Sequence, residues 1–276
     1  MKNINMFCLT MNPEHYKIIK KINYIPVGLG NKKFKEKNWK TDKTKKNIAK
    51  KNKFYGEYTF HYWLWKNYKF NSNRWIGFCQ YRKFWKKKKL TKKINNFVSF
   101  NNTLLKKIPN RFVKYDVILG EELYVNKFKF SKFIKKNLKK MILKPKYFFN
   151  KKKRNIKFHF DMMHGDGNLE KAISVLDLKE KIDFTKFVNT EVSFNPHNMF
   201  IVKNNEILKR YYNSLFPWLK RCEKIFGFKN LKGYGLQRIY GFLAERYMSY
   251  WFKKYTKVCI IPILFKDISD FSYKNL

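Results

Sequence analysis

The sequence predicts an α/β protein, a single domain with a central sheet between helices, on three observations. Short apolar runs of strand length recur at residues 4–10, 24–30, 75–79, 115–119 and 194–202. Longer stretches whose apolar residues fall at helical spacing lie between and after them. The chain of 276 residues is 44% apolar and 19% aromatic, enough to bury a large core, and it shows no internal repeat and no Ser/Gly-rich linker.

Residues 4–10 read as the first strand. Residues 24–30, YIPVGLG, read as the second and end in Gly28 and Gly30, which suit a tight turn or a close approach by a ligand. Residues 32–53 are polar and strongly basic, a surface loop that something anionic would order.

The chain is organised around residues 52–85. The first half of this stretch has helical spacing. Tyr55, Tyr58, Thr59, Tyr62, Trp63 and Lys66 fall on one side, and Phe54, Glu57, His61, Leu64 and Trp65 toward the other. Asn71, Ser72 and Asn73 supply a turn. Residues 75–79 are a strand that ends abruptly in Gln80, Tyr81, Arg82 and Lys83. Open α/β sheets bind their ligands at the carboxyl ends of their strands. Aromatic residues at helical spacing are core by default, whereas Glu57, His61, Arg82 and Lys83 need partners beside so much apolar surface.

Residues 115–119 read as a strand with Asp116 near its start. In residues 130–142 the side chains Phe130, Phe133, Ile134, Leu138, Met141 and Ile142 line one helical face and lysines line the rest. That is a basic amphipathic helix, within a basic insertion at about 121–155. It either caps the core or lies in the plane of an anionic membrane.

Residues 155–176 hold the densest group of candidate catalytic side chains: His159, Asp161, His164, Asp166, Asn168 and Glu170. Gly165 and Gly167 imply a loop before a helix, with Asp166 or Asn168 near its N-cap. Carboxylate and imidazole suit Mg²⁺ or Mn²⁺, but the spacing matches no standard motif, and no metal ligand is assigned. In residues 194–202 a turn at Asn195 and Pro196 runs into a strand, with His197 and Asn198 just ahead of it. Residues 211–226 and 234–253 read as helices. Arg238 and Glu245 share one face of the latter and Arg246 lies on a neighbouring face, a pattern that by itself fits a buried Arg–carboxylate network. Residues 258–265 close the chain as an edge strand, which tolerates Pro262.

The net charge of +44 permits attraction to nucleic acid, anionic lipid or phosphorylated substrates. An A/T-rich coding sequence would enrich Lys, Asn, Ile, Phe and Tyr in the same way. Cys8, Cys79, Cys222 and Cys259 form no CxxC pair, which argues against a zinc ribbon and a disulfide framework and for reduced thiols. The N-terminal apolar run is short for a signal peptide, and the longest apolar run, 258–265, is far below the roughly 20 residues that span a bilayer. A cytoplasmic chain is expected, peripheral on the inner face of the membrane if the basic helix lies on lipid.

The blocks KNKFYGEYTFHYWLWKN, WIGFCQYRKFW, NMFIV and QRIYGFLAERYMSYW, in that order, resemble a bacterial family of unknown-function domains. That family occurs in capsule, O-antigen and exopolysaccharide gene clusters. It is regarded as glycosyltransferase-like, related to the GT-A (nucleotide-diphospho-sugar transferase) fold. The resemblance runs from Ile4 to Ile261. It implies a GT-A-like, Rossmann-like central mixed sheet flanked by helices, one domain over residues 1–276. The family usually shows His-Tyr-Arg-Arg after the central strand, where this chain has Gln80, Tyr81, Arg82 and Lys83. Ordinary GT-A enzymes carry an Asp-x-Asp pair there for Mn²⁺ or Mg²⁺, and none stands at that place.

The resemblance implies a nucleotide-sugar donor, a UDP-sugar by expectation, and a lipid-linked or growing polysaccharide acceptor. The need for a divalent metal stays open. Arg82 and Lys83, with Tyr81, are expected on the donor diphosphate, because an Arg/Lys clamp stabilises the leaving charge as a metal would. Deprotonating the acceptor calls for a carboxylate or imidazole, and Asp166, Glu57 and Glu245 are the candidates in that order. His164, His197, Asn198, Arg238 and Arg246 are expected at sugar or acceptor hydroxyls. Two other classes stay open. One is a non-catalytic partner in polysaccharide assembly, which the altered Gln80 permits. The other is a basic single-strand-binding protein, but no signature for it appears, and no specific nucleic acid is expected.

Overall fold

A computed structural model describes residues 1–30, 32–68, 74–87, 94, 96–127 and 153–271. The helix expected over 130–142 lies outside the described residues, as does most of the insertion expected at 121–155. In chain order the elements are β1 (Lys2–Thr10), α1 (Tyr16–Lys21), β2 (Ile25–Gly28), β3 (Lys40–Thr41), α2 (Asn52–Tyr55), α3 (Tyr58–Asn67), β4 (Trp75–Gln80) and β5 (Lys83–Trp85). Then come α4 (Phe97–Thr103), β6 (Lys107–Ile108), β7 (Val117–Gly120), β8 (Leu123–Tyr124), α5 (Ile156–His164), α6 (Asn168–Ser174), α7 (Leu178–Thr190) and β9 (Ser193–Phe194). The last are β10 (Phe200–Val202), α8 (Asn205–Phe226), α9 (Tyr234–Gln237), α10 (Ile239–Tyr255), β11 (Val258–Ile261) and β12 (Ile263–Phe265).

Two compact units result, one of Met1–Glu121, Asn198–Asn213 and Phe252–Leu276, the other of Glu122–His197 and Ser214–Trp251. The first holds a mixed sheet in the order β11-β7-β10-β4-β1-β2-β3, with β5 on β4, β12 on β5 and β6 on β1. β1 pairs in parallel with both β2 and β4, and β2 with β3, whereas β10 runs antiparallel to β4 and to β7. The carboxyl ends of β1, β2, β3 and β4 therefore share one edge of the sheet with the start of β10.

Side chains alternate between the two faces, and each face has its own helices. Met6, Cys8, Cys79 and Ile201 pack with Ile18, Ile19 and Ile22 near α1 and with Phe97 and Phe100 of α4. Gly77 belongs to this face because Ile4 and Met6 occupy the space a Cβ would need. The opposite face is aromatic. Phe7 stacks on Phe78 at 5.7 Å, Phe60 of α3 lies 5.5 Å from Phe7, and Phe200 meets Phe78, Tyr211 and Phe252. Helices on both faces of a mixed sheet agree with the predicted fold class.

The structure corrects three local readings. The helix read from residue 52 is broken at Gly56 (φ 58°), which ends α2 and starts α3 one residue after Glu57. The basic stretch at 32–53 is more than a surface loop: it contains β3, it buries Trp39, Asp42 and Ala49, and the Trp63 indole donates to Thr44 O at 3.0 Å. The closing strand is two strands divided by Pro262, with β11 on β7 and β12 antiparallel to β5.

In the second unit β8 and β9 form a two-stranded sheet, and α5, α6 and α7 pack on one another. Phe184 of α7 meets Trp218, Tyr247 and Tyr250, and the Trp218 indole donates to Ala172 O at 2.7 Å. All four cysteines are free, and among the described residues no helix is long and apolar enough to cross a membrane.

Candidate active site at the carboxyl edge of the first-unit sheet

Three of the predicted residues meet Gln80 where β4 ends. Glu57 stands at the N-cap position of α3, and its Oε1 accepts from Gln80 Nε2 at 2.6 Å. The β4–β10 register pairs Ile201 with Gly77, which carries Asn198 alongside Gln80. Asn198 Nδ2 reaches the same Glu57 oxygen at 3.4 Å, and Lys83 Nζ donates to Gln80 Oε1 at 3.3 Å. Gln80 thus accepts from a cation and donates to a carboxylate, which fixes the orientation of its amide.

Asn198 carries two further marks of a binding residue. It is non-glycine yet has φ 54°, directly after His197 at φ 81°. Such backbone costs about 1–3 kcal/mol per residue and gathers at functional sites. Its Oδ1 is buried with no hydrogen-bond partner, in a side chain only 8% exposed. A buried carbonyl oxygen in this state takes a donor when a ligand supplies one.

Tyr81 and Arg82 follow. The Tyr81 ring lies 5.1 Å from His15, and His15 is bridged between the Thr10 hydroxyl and the Ser269 hydroxyl, each at 2.8 Å. Arg82 Nε donates to Asp267 at 2.6 Å, and the Arg82 guanidinium sits 4.7 Å over Tyr81. Burial pushes the Asp267 carboxyl up, but the Ser269 N–H and Arg82 outweigh it and hold it below its ordinary value. The Arg82 side chain is 62% exposed, so it can exchange this partner for another anion at small cost.

The second unit holds the other predicted residues. Glu245 Oε1 accepts the His197 backbone N–H at 2.6 Å, and its other oxygen pairs with Arg246. Arg246 is fully buried, 4.3 Å from the Phe194 ring, and shares a hydrogen bond of 3.2 Å with His159. Burial and the neighbouring Arg246 charge push His159 down to about 3 and His164 to about 2, so both are neutral. His164 Nδ1 faces Gly235 O at 3.0 Å, and its ring stacks on Phe242 at 4.0 Å. Arg238 rests near the Tyr234 ring, and Asp166 is exposed in the turn between α5 and α6.

Two features escaped the sequence reading. Asp42, in the supposed loop, is fully buried. A cavity of about 200 Å³ between α5, α6 and α7 is lined by Lys157, Glu170, Lys181 and Asn189 over an apolar floor, and of the candidate catalytic side chains only Glu170 lines it. Among the described residues no group of three or more His, Cys, Asp or Glu side chains gathers as a metal site would.

The family described as Domain of unknown function (DUF4422) matches residues 8–257. No curated protein matches the chain. Its structure is similar to that of the WbbM bifunctional glycosyltransferase, solved without ligand, with a TM-score of 0.71 and 19% sequence identity. The likeness covers 96% of this chain and 45% of that one, so the chain spans less than half the length of the protein it matches. The chain belongs to the DUF4422 family and has a glycosyltransferase-like fold.

Proposed function

We propose that the protein is a glycosyltransferase. It transfers a sugar from a nucleotide-diphosphate sugar, a UDP-sugar first, to a lipid-linked or growing polysaccharide of capsule, O-antigen or exopolysaccharide type. The observation that carries this reading is the Glu57–Gln80–Asn198 cluster at the carboxyl end of β4, with Lys83 and Arg82 beside it. It combines an acceptor-only carboxylate, an unsatisfied amide oxygen and two cations where an open sheet binds ligands.

Glu57 is the general base that takes the acceptor hydroxyl's proton. Its neighbours hold the carboxylate in place, whereas Glu245 is engaged by the His197 N–H and Arg246, and Asp166 stands exposed. Arg82 and Lys83 stabilise the diphosphate as it leaves, and Tyr81 supports Arg82. Asn198 takes a sugar hydroxyl through its Oδ1. Of the other residues expected at hydroxyls, His164 and Arg246 are core groups, and His197 and Arg238 are the half-exposed ones. An anionic membrane surface is the partner in this reading, supported by the charge of +44 and suited to a lipid-linked acceptor on the cytoplasmic side.

The test is thermal stability with UDP and UDP-sugars, each with Mn²⁺ and with EDTA. Ligand at about a hundredfold its dissociation constant adds roughly 2.7 kcal/mol, a rise of several degrees. A rise that survives EDTA supports the Arg82/Lys83 assignment. A rise only with Mn²⁺ brings a divalent ion into the donor site. No rise with any nucleotide sugar turns the reading to a non-catalytic partner in polysaccharide assembly.

A further inference from the structure

The loop after β1 and the segment after β12 meet beside Arg82. His15 lies in a single turn (Pro13–His15) between β1 and α1 and is only 2% exposed. One nitrogen of its ring faces the hydroxyl of Thr10, the last residue of β1. The other faces the hydroxyl of Ser269, 254 positions along the chain, and each separation is 2.8 Å. Burial lowers His15 below its ordinary value of 6.5 and outweighs the carboxylates of Asp267 and Glu14, so the ring is neutral at pH 7. A neutral imidazole has one donor and one acceptor nitrogen, and a hydroxyl serves in either role, so both bonds form together.

Ser269 passes the constraint on. It lies in the turn Ile268–Asp270, and its backbone N–H donates to Asp267 Oδ1 at 2.9 Å, which leaves Oδ2 for Arg82 Nε at 2.6 Å. The Arg82 guanidinium sits 4.7 Å over Tyr81, whose ring lies 5.1 Å from His15, and Ile268 N donates to Tyr81 O at 3.1 Å. The contacts thus close a ring through His15, Ser269, Asp267, Arg82 and Tyr81. Asp267 takes only Nε, and among the described residues Nη1 and Nη2 of Arg82 hydrogen-bond to no other group. Parallel N–H groups on one guanidinium edge match a phosphate. An arginine held by nothing but an exposed ion pair would lose its rotamer freedom only on binding, at a cost to affinity.

We propose that His15 is a positioning residue for Arg82. By tying Ser269 to the end of β1 and backing the Tyr81 ring, it holds the Asp267–Arg82 pair so that the free edge of Arg82 is preset for the donor diphosphate. The proposal rests on reading the β4 end as a nucleotide-sugar site, and it adds how the exposed cation of that site is kept in one place. His15 itself is enclosed and touches no ligand.

Two readouts on the full chain test this. One is the Nε–H signal of Arg82 in a nitrogen-15 NMR spectrum without ligand, identified by its loss in Arg82→Ala. The other is calorimetric titration with UDP. His15→Ala removes the ring, and Ser269→Ala, at an exposed position, cuts the same link even if His15→Ala fails to fold. Both variants are expected to move the Arg82 signal to that of a solvated arginine and to weaken UDP binding about threefold to tenfold. In the Arg82→Ala background the same substitutions should weaken it no further, because a positioning residue acts only through the group it positions. An Arg82 signal that stays in place in Ser269→Ala overturns the proposal. So do losses that add in full to that of Arg82→Ala, which make His15 a structural residue only. Wild type that binds no UDP overturns the nucleotide-sugar reading and the proposal with it, and is told apart because it shows before any variant is made.

Discussion

Gln80 Nε2 donates to Glu57 Oε1 at 2.6 Å, tying the last residue of β4 to the N-cap of α3. The bond fixes the carboxylate proposed as the base. Glu57→Gln keeps the shape and removes the basicity. Turnover with the correct donor and acceptor should fall by about 10²–10⁴, with UDP affinity unchanged within a factor of about three. A variant that turns over like wild type removes Glu57 from the chemistry and returns Asp166 to first place.

Gly56 makes that placement possible. Its φ of 58° with ψ of −134° is open to glycine and strained for any other residue, and its carbonyl accepts from Asn52 Nδ2 at 3.0 Å. Gly56→Ala should cost about 1–3 kcal/mol and reduce turnover beyond what the loss of stability explains. Unchanged melting and turnover would show that the turn tolerates a side chain.

Arg82 and Asp267 form an exposed ion pair. Exposed pairs contribute little to stability, so Arg82→Ala should leave the melting temperature nearly unchanged while weakening UDP binding at least tenfold. Equal affinity for UDP in this variant, measured by titration, would take the diphosphate away from Arg82.

Acid should weaken the fold. His61 and His159 are pushed down to about 3 and His164 to about 2, by burial first and, for the latter two, by Arg246. Each has an ordinary value of 6.5, so below that pH the unfolded chain takes up protons that the folded chain refuses. Stability then rises with pH from about 3 to 6.5, with a slope of up to about 1.4 kcal/mol per pH unit for each histidine. Melting curves between pH 4 and 8 should be level above pH 7 and fall steadily below 6.5. A flat profile down to pH 4 would mean that these imidazoles are reached by solvent.

Phe78 is 1% exposed and touches Phe7, His61 and Phe200 at once. Phe78→Ala should cost about 3–5 kcal/mol, roughly 10 °C of melting temperature. A loss below about 1 kcal/mol in chemical denaturation would indicate that the aromatic face repacks.

The strands and helices were legible because their signals are local. Residues 75–79 are an apolar run that ends in polar side chains, and β4 ends at Gln80. The break at Gly56 is not legible, because the aromatic spacing continues through it. The buried part of residues 32–53 was hidden because its lysines dominate the composition, and only Trp39 hinted at an anchored segment.

Periodicity and turn residues act over a few neighbours, so the fold class, the longer strands and helices and the family blocks are legible in the sequence, whereas α1, β3, β5, α4, β6, β8 and α7 are not. The sequence also placed Gln80, Tyr81, Arg82 and Lys83 at a strand end. Only the tertiary structure decided which residues meet there. Asn198 reaches Glu57 because β10 runs antiparallel to β4, a pairing across 141 positions of chain. Asp42 lies in a stretch whose lysines mark it as surface, and only the fold shows that it is buried. Strand order and desolvation are properties of the whole fold, and no local stretch of sequence states them.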